Sequence, residues 1–161
     1  MEIDVQIRSA IAADYPAYLE LVAQVDQLHA EKAPRYYRLA GQPVRTKDFY
    51  LAILNDPKRT ILLAVQGPQV LGYAHIESRV EPDIPVLVPM AWANVSDLVV
   101  DSAHQRKGVA RTLLQAVKVW AREQGCKDLR LSVAGFNTAA TELYASEGFQ
   151  LKHQVLAFPL S

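Results

Sequence analysis

The chain has 161 residues, with 17 basic and 17 acidic side chains that cancel to a formal net charge of zero. This length fits a single folded domain, and we expect residues 1–161 to form one. Because no net charge attracts nucleic acid or an anionic membrane surface, neither is expected as a partner. The single cysteine excludes an intramolecular disulfide and fits a reducing compartment. No apolar run reaches the roughly 20 residues that cross a bilayer, and Met1–Asp4 lacks a signal-peptide pattern, so we expect a cytoplasmic protein.

Hydrophobic periodicity divides the first half of the chain into strand, helix, helix, strand and strand. Alternating apolar and polar residues predict the first strand, and apolar residues three or four positions apart predict the two helices. Pro34 ends the first helix, and Gly67-Pro68 forms a turn between the last two strands, which together make a hairpin. The predicted elements are 3–8, 15–31, 47–55, 60–66 and 69–77.

The second half continues as strand, helix, strand, helix and one or two final strands. A loop with three prolines, residues 78–90, precedes it, and Gly125 and Gly148 end the two helices. This order predicts an α/β or α+β domain with one mixed central sheet. The predicted elements are 92–100, 108–124, 128–133, 138–147 and 149–160.

The segment from Leu98 to Arg111 joins an apolar strand, a short polar and basic loop and the glycine-opened start of a helix. The first N–H groups of a helix have no partner within it, so they suit a phosphate. Gly108 has no Cβ and lets an anion approach closely. The pattern Gln-x-x-Gly-x-Ala at 105–110 therefore predicts a pyrophosphate site, although spacing alone equally allows an ordinary strand–helix turn. It matches neither of the two well-known nucleotide loops.

A second motif follows the predicted strand over 128–133. It reads Asn-x-x-Ala-x-x-x-Tyr-x-x-x-Gly-Phe and runs from Asn137 to Phe149. Taken singly, Asn137 is better explained as a helix N-cap and Tyr144 as a core aromatic residue. The order and spacing of these residues after the first motif favour a functional role for both motifs.

With both motifs in this order, the chain resembles the GNAT superfamily of acetyl-CoA-dependent N-acetyltransferases. The motifs cover about 95–149, and a His-x-x-x-x-Pro element at 29–34 is also similar to one in many small bacterial members. The resemblance implies one GNAT-type domain. Its single mixed, mostly antiparallel sheet would be flanked by helices and splayed at the cofactor site.

The resemblance implies that the pantetheine arm of acetyl-CoA lies between the strands matching 95–100 and 128–133. The backbone of Leu98 and Val100 would bind this arm, and the N–H of Leu98 would polarise the thioester carbonyl. Loop N–H groups and nearby cations would hold the pyrophosphate, while Tyr144 would protonate the leaving thiolate. The expected cofactor-binding residues are Leu98, Val99, Val100, Gln105, Arg106, Lys107, Gly108, Val109, Ala110, Arg111, Asn137, Ala140 and Tyr144.

The group that accepts the proton of the amine is left open by the sequence. Some relatives carry a glutamate on this strand, where the pore-side residues of this chain are Asn94 and Ser96. Strand alternation turns Asp97 to the opposite face, so we expect it to be a structural carboxylate. The remaining alternatives are His75, Glu77 and a water ordered by Asn94 and Ser96.

The implied reaction is transfer of the acetyl group of acetyl-CoA to a primary amine of a small molecule or peptide by direct attack. His29 and Tyr36 are candidates for lining the acceptor pocket. No metal is expected, because the four histidines lack metal-binding spacing. Two alternatives stay open: another acyl-CoA as donor, and a domain that binds acetyl-CoA as a sensor or partner-binding module without catalysis. The oligomeric state is also open, with a homodimer as one option.

Overall fold

A computed structural model describes residues 3–161 as a five-stranded sheet with α-helices on both faces. The strands are β1 (Gln6–Ser9), β2 (Arg59–Gln66), β3 (Gln69–Val80), β4 (Ala91–Val100) and β5 (Asp128–Leu131). The helices are α1 (Tyr15–Lys32), α2 (Lys47–Leu54), α3 (Val109–Glu123) and α4 (Thr138–Ser146). Short 3₁₀ turns precede α1 and follow β4.

The strands lie in chain order, β1-β2-β3-β4-β5. The first four are antiparallel to their neighbours, and β5 is parallel to β4 because α3 connects them as a crossover. The predicted fold class, one mixed and mostly antiparallel sheet flanked by helices, is confirmed.

Each face of the sheet carries its own hydrophobic cluster because successive side chains of a strand point to opposite faces. On one face Tyr73 and Val99 pack with the inward residues of α1 and α2, which include Tyr18 and Tyr50. On the other face the half-buried Leu98 and Val100 pack against the cluster that contains α3. We call these the α1 face and the α3 face.

Local sequence explains where the helices begin and end. In α2 the Thr46 hydroxyl accepts a hydrogen bond from the N–H of Phe49 at 3.2 Å, which caps the helix. In α3 the buried residues Val109, Leu113 and Val117 recur every four positions and fix the face that packs on the sheet. Within residues 3–161, no helix has the length and apolar character that crossing a membrane requires.

The prediction of one or two strands over 149–160 is wrong. Residues 149–161 contain no strand, and their large apolar side chains after the half-buried Phe149 are exposed. A strand requires a partner backbone, and this segment pairs with none in the described chain. Other boundaries differ as well, since β1 occupies 6–9 rather than 3–8, β3 extends to Val80 and β5 ends at Leu131 rather than at 133.

The close approach of β3 and β4 depends on Gly72. A Cβ built on Gly72 would lie 2.5 Å from the carbonyl oxygen of Val99 and 3.2 Å from the Cα of Val100. We therefore expect Gly72→Ala to lower the free energy of unfolding by about 1–3 kcal/mol, the usual range for an overpacked core. Urea denaturation measures this change. Gly135→Ala is the control, because a Cβ there meets no atom within 4 Å, and an equal loss in both variants would contradict the account.

Candidate functional site

The ladder between β4 and β5 is short and leaves part of β4 uncovered. It begins at the pair Trp92–Asp128 and ends at the pair Val95–Leu131, whereas β4 itself continues to Val100. Among the described residues, no strand covers the β5 side of β4 beyond Val95. The backbone of residues 96–100 therefore has no strand partner on this side. We call this unpaired stretch the gap beside β4, and a ligand with amide groups can pair with it as an added strand does.

A β-bulge lies at the start of this gap. Asp97 pairs with His75 and Val95 pairs with Ile76, so that Ser96 has no partner on β3. The expectation that Asp97 points away from Asn94 is wrong, because the extra residue resets the alternation. Asn94 lies opposite Glu77 and Asp97 lies opposite His75, and residues 75 and 77 share one face of β3.

Asp97 is held by structural contacts on the α1 face. Its carboxylate accepts a hydrogen bond from the Tyr73 hydroxyl at 3.0 Å and forms an ion pair with the Arg45 guanidinium at 3.3 Å. The carbonyl oxygen of Arg45 in turn accepts the Tyr15 hydroxyl at 2.8 Å. The expected structural role of Asp97 fits these contacts, which fasten the segment between α1 and α2 to the strand beside the bulge.

The N-terminus of α3 follows β4 through a loop with two residues in the left-handed region. Arg106 has a φ of 60° and Gly108 has a φ of 84°. A Cβ on Gly108 would meet no atom within 4 Å, so the space in front of the helix is open. The first hydrogen bond of α3 runs from the N–H of Thr112 to the Gly108 oxygen at 3.0 Å. The preceding N–H groups of 109–111 have no acceptor within the helix and are available to an anion.

A depression of about 160 Å³ lies at this helix end, and Lys107, Gly108, Arg111 and Thr112 contribute to its lining. Arg111 is 3.1 Å from the carboxylate of Glu147, so its charge is compensated from α4. Lys107 is different, because the acceptor 3.4 Å from its ammonium group is the neutral carbonyl of Ala103. We therefore expect Lys107 to contribute more than Arg111 to the field at this site.

The loop is fastened to α1 by Gln24, a residue that sequence reasoning missed. The Gln24 amide donates to the Asp101 carboxylate at 2.7 Å and accepts from the N–H of Ser102 at 2.9 Å. His104 contacts the same carboxylate at 2.6 Å. The hydrogen bond from Gln24, followed by that from His104, holds the pKa of Asp101 below its usual range. A second depression, of about 210 Å³, lies between α1 and the β2–β3 turn beside this contact.

The second sequence motif forms the start of α4. The side-chain oxygen of Asn137 accepts the N–H of Ala140 at 3.1 Å, as an N-cap does. Tyr144 is half-buried against Phe149, with their ring centroids 5.5 Å apart. Burial raises the pKa of Tyr144 above its ordinary value of 10.0, so that the phenol keeps its proton at neutral pH.

Near the bulge, the α1 face also carries the polar residues that the sequence offered as proton acceptors. The Asn94 amide donates to the Ser96 hydroxyl at 3.1 Å, and the Glu77 carboxylate is bound by Arg79. His75 is 7% exposed, and its Nε2 atom has no hydrogen-bond partner among the described residues. Burial lowers the pKa of His75, so its imidazole is neutral at pH 7.

The end of α1 reaches the loop that follows β5. The His29 ring lies 4.9 Å from that of Tyr37 and 5.3 Å from that of Phe136, measured between centroids. Tyr36, the other residue predicted near an acceptor, is exposed. The described part of the chain, 3–161, contains no group of three or more His, Cys, Asp or Glu side chains positioned to hold a metal ion.

Comparison with known proteins identifies acetyltransferases both by family model and by individual relatives. The family model of the acetyltransferase (GNAT) family matches residues 22–149. The chain is 28% identical over 130 residues to N-acetyltransferase 8B of Rattus norvegicus, and this match covers 73% of the chain but only 55% of that relative. The chain therefore spans about half the length of this curated relative.

Two solved structures illustrate the likeness in fold. A mutant of the BH1408 protein from Bacillus halodurans has a TM-score of 0.91 and 25% identity, covering 97% of this chain and 99% of that one. AAC(6')-Iy in complex with the bisubstrate analog CoA-S-monomethyl-acetylneamine has a TM-score of 0.76 and 17% identity, covering 99% of each chain. At that lower identity the second likeness concerns the fold alone.

We expect Gln24→Ala to loosen the loop after β4. The variant removes both hydrogen bonds between α1 and residues 101–102, each of which contributes about 1 kcal/mol. Amide hydrogen exchange over residues 101–108 should therefore accelerate by roughly fivefold or more. Gln27→Ala is the matched control, since Gln27 bonds only within α1, to Glu31 at 2.6 Å. Unchanged exchange in the Gln24 variant would show that the loop is held by other contacts.

Proposed function

The chain belongs to the GNAT acetyltransferase family, and we propose that it transfers the acetyl group of acetyl-CoA to a primary amine of a small molecule or peptide. The observation that carries this proposal is the gap beside β4, which leads to the free N–H groups of α3. One end of the gap suits an extended chain of amides, and the other suits a pyrophosphate. Coenzyme A contains both groups in this order.

The donor site that we propose uses mostly backbone atoms. The main chain of Leu98, Val99 and Val100 would pair with the pantetheine amides, because β5 leaves this stretch uncovered. The N–H groups of Gln105 to Ala110 would surround the pyrophosphate, with Arg106 and Lys107 supplying positive charge. Asn137 would contact the arm through its amide nitrogen, since its oxygen is used in the cap of α4.

The chemistry that we propose is direct attack of a neutral amine on the acetyl thioester. The C–N bond forms and the C–S bond breaks, while the N–H of Leu98 stabilises the charge that develops on the carbonyl oxygen. The amine loses a proton and the departing thiolate gains one from the Tyr144 hydroxyl. Tyr144 fits this role because its half-buried phenol is protonated at neutral pH and carries a proton that it can donate to the thiolate.

We place the proton acceptor on the α1 face beside the bulge. The Glu77 carboxylate lies opposite Asn94, and the Asn94–Ser96 pair offers polar atoms that can order a water. His75 is a weaker candidate as the direct base, because it is buried beneath this surface. Proton transfer through Glu77 or through a water held by Asn94 and Ser96 therefore fits the geometry better.

A small molecule with several amines is the acceptor class that the comparisons support. One structure with the same fold, AAC(6')-Iy, holds the bisubstrate analog CoA-S-monomethyl-acetylneamine, and another is an aminoglycoside acetyltransferase in complex with sisomicin. A thiol-release assay over aminoglycosides, polyamines, amino acids and peptide N-termini tests this proposal. Binding of acetyl-CoA without turnover of any amine would favour a sensor. Thiol release from longer acyl-CoA molecules, but not from acetyl-CoA, would show that the donor is another acyl-CoA.

We expect Gly108→Ala to weaken acetyl-CoA binding by about tenfold. A side chain at this position strains a left-handed backbone and fills the open space before the N–H groups of α3. Titration calorimetry with acetyl-CoA and, separately, ATP measures the effect. Gly67→Ala is the control, because Gly67 has a φ of 57° and equally open surroundings in the β2–β3 turn. Equal weakening in both variants, or equal binding of ATP, would contradict the proposed site.

We expect Tyr144→Phe to lower kcat roughly 10²-fold while leaving the Kd of acetyl-CoA nearly unchanged, since only proton donation is lost. Steady-state thiol release and calorimetry separate the two effects. Tyr18→Phe is the control, because the Tyr18 hydroxyl is buried and has no partner within the described chain. Its removal should preserve both activity and stability. A wild-type kcat in the Tyr144 variant would mean that the thiolate leaves without this proton donor.

A further inference from the structure

The helix that carries Tyr144, α4, has few contacts that hold it in place. It is nine residues long, and none of its residues is fully buried. A short helix without a buried apolar face is marginal in water. The side-chain oxygen of Asn137 closes its first turn, but this hydrogen bond runs only to the N–H of Ala140 within the same helix. The position of Tyr144 relative to the sheet therefore depends on contacts at the other end of α4.

Glu147, the C-cap residue of α4, provides such contacts. Its side chain is only 6% exposed, and its carboxylate is bound by three side chains of α3. The distances are 3.1 Å to Arg111, 2.8 Å to Gln115 and 3.1 Å to Lys118. The ammonium group of Lys118 also lies 3.4 Å from the backbone oxygen of Glu147. A shielded carboxylate with these donors is held firmly, because moving it would leave charges without partners.

The three donors belong to a helix that is itself fixed. They are four and three positions apart in α3, so they share one face of it. The buried Leu113 and Val117 pack α3 on the sheet. Among the described residues, the other side-chain hydrogen bond between the two helices is the longer one from Arg111 to Ser146, at 3.4 Å. Glu147 is therefore the main anchor between the end of α4 and a rigid part of the protein.

Tyr144 lies one turn before this anchor. The N–H of Glu147 donates to the carbonyl oxygens of Leu143 at 3.0 Å and Tyr144 at 3.1 Å. The N–H of Phe149 donates to the same Tyr144 oxygen at 2.9 Å, and the rings of Phe149 and Tyr144 are in contact. The backbone of Tyr144 is thus tied directly to the residue that anchors α4 on α3.

We propose that Glu147 is a positioning residue for the reaction: by anchoring α4 on α3, it holds the Tyr144 hydroxyl where the leaving thiolate forms. This role rests on the function proposed above, in which Tyr144 donates its proton to the sulfur. Glu147 exchanges no proton and acts only through Tyr144. Such anchoring matters because a displacement of about 1 Å can slow an enzymatic step by roughly 10²-fold.

Glu147→Gln tests this role, because it removes the charge and keeps the size of the side chain. We expect kcat to fall roughly tenfold, which is less than in Tyr144→Phe. The Kd of acetyl-CoA should not rise, since Arg111 loses its counterion and is free to face the pyrophosphate. Steady-state thiol release and calorimetry measure the two quantities. A wild-type kcat, or a loss confined to acetyl-CoA binding, would overturn the proposal.

Asp14→Asn is the matched control. The Asp14 side chain is 11% exposed and pairs with Arg8 at 2.8 Å, but this ion pair joins β1 to the turn before α1. Its loss should lower stability in urea without lowering kcat, because α4 follows β5, at the opposite edge of the sheet from β1. An equal fall of kcat in both variants would show that Glu147 acts through general stability, and the proposal would be wrong.

A double-mutant cycle shows whether Glu147 acts through Tyr144. In the Tyr144→Phe background, Glu147→Gln should change kcat by less than about twofold, because the proton donor is already absent. A full loss in that background would contradict the proposal. A loss in Glu147→Gln when Tyr144→Phe alone has a wild-type kcat would contradict it as well, since Glu147 would then act through another group.

Amide hydrogen exchange separates failure of this anchor from failure of the proposed reaction, because it requires no amine. In Glu147→Gln, the backbone amides of residues 141–149 should exchange roughly tenfold faster, while those of residues 112–121 remain unchanged. Gln115→Ala removes a single donor and should give a smaller change of the same kind. Unchanged exchange over 141–149 in both variants would overturn the anchor even if acetyl transfer is confirmed.

Discussion

The pairing of β5 with β4 ends at Val95–Leu131, and the candidate site depends on that early end. If β5 paired with β4 along its full length, the backbone N–H and C=O groups of residues 96–100 would all be hydrogen-bonded to it, and no ligand could pair with them. The bulge at Ser96 lies where the two strands part, and bulges increase local twist and interrupt pairing. The gap thus results from the geometry of the strands, and its backbone groups can bind a ligand without a polar side chain.

The surrounding contacts hold this gap in a fixed shape. Gly72 lets β3 pack closely against the end of β4, on the side opposite to the gap. The ion pair of Arg45 and Asp97 fastens the segment between α1 and α2 beside the bulge, while Gln24 fastens the loop that leads to α3. An electrostatic site is effective when its donors are in place before charge develops. These contacts provide that preorganisation from the neighbouring strand β3 and from the α1 face of the sheet.

Sequence reasoning predicted the elements whose signals are local and failed where the structure depends on pairing. The helical spacing of Val109, Leu113 and Val117 gave α3 and its buried face, and the GNAT motifs gave the family. The side of Asp97 was predicted incorrectly, because a bulge leaves no residue pattern in a single strand. The strands over 149–160 were also predicted incorrectly, since apolar alternation indicates burial but does not identify the partner. Gln24 had no signal, because its importance comes from a contact 77 residues away.

The central claim is that the donor binds along the uncovered edge of β4 and at the N-terminus of α3. Backbone amide chemical shifts, recorded by NMR with and without acetyl-CoA, test it most directly. The account predicts that the largest changes fall on residues 96–100 and 105–110. Changes concentrated instead at the depression between α1 and the β2–β3 turn, around Leu21 and Val70, would contradict it. The absence of any change at saturating acetyl-CoA would do the same.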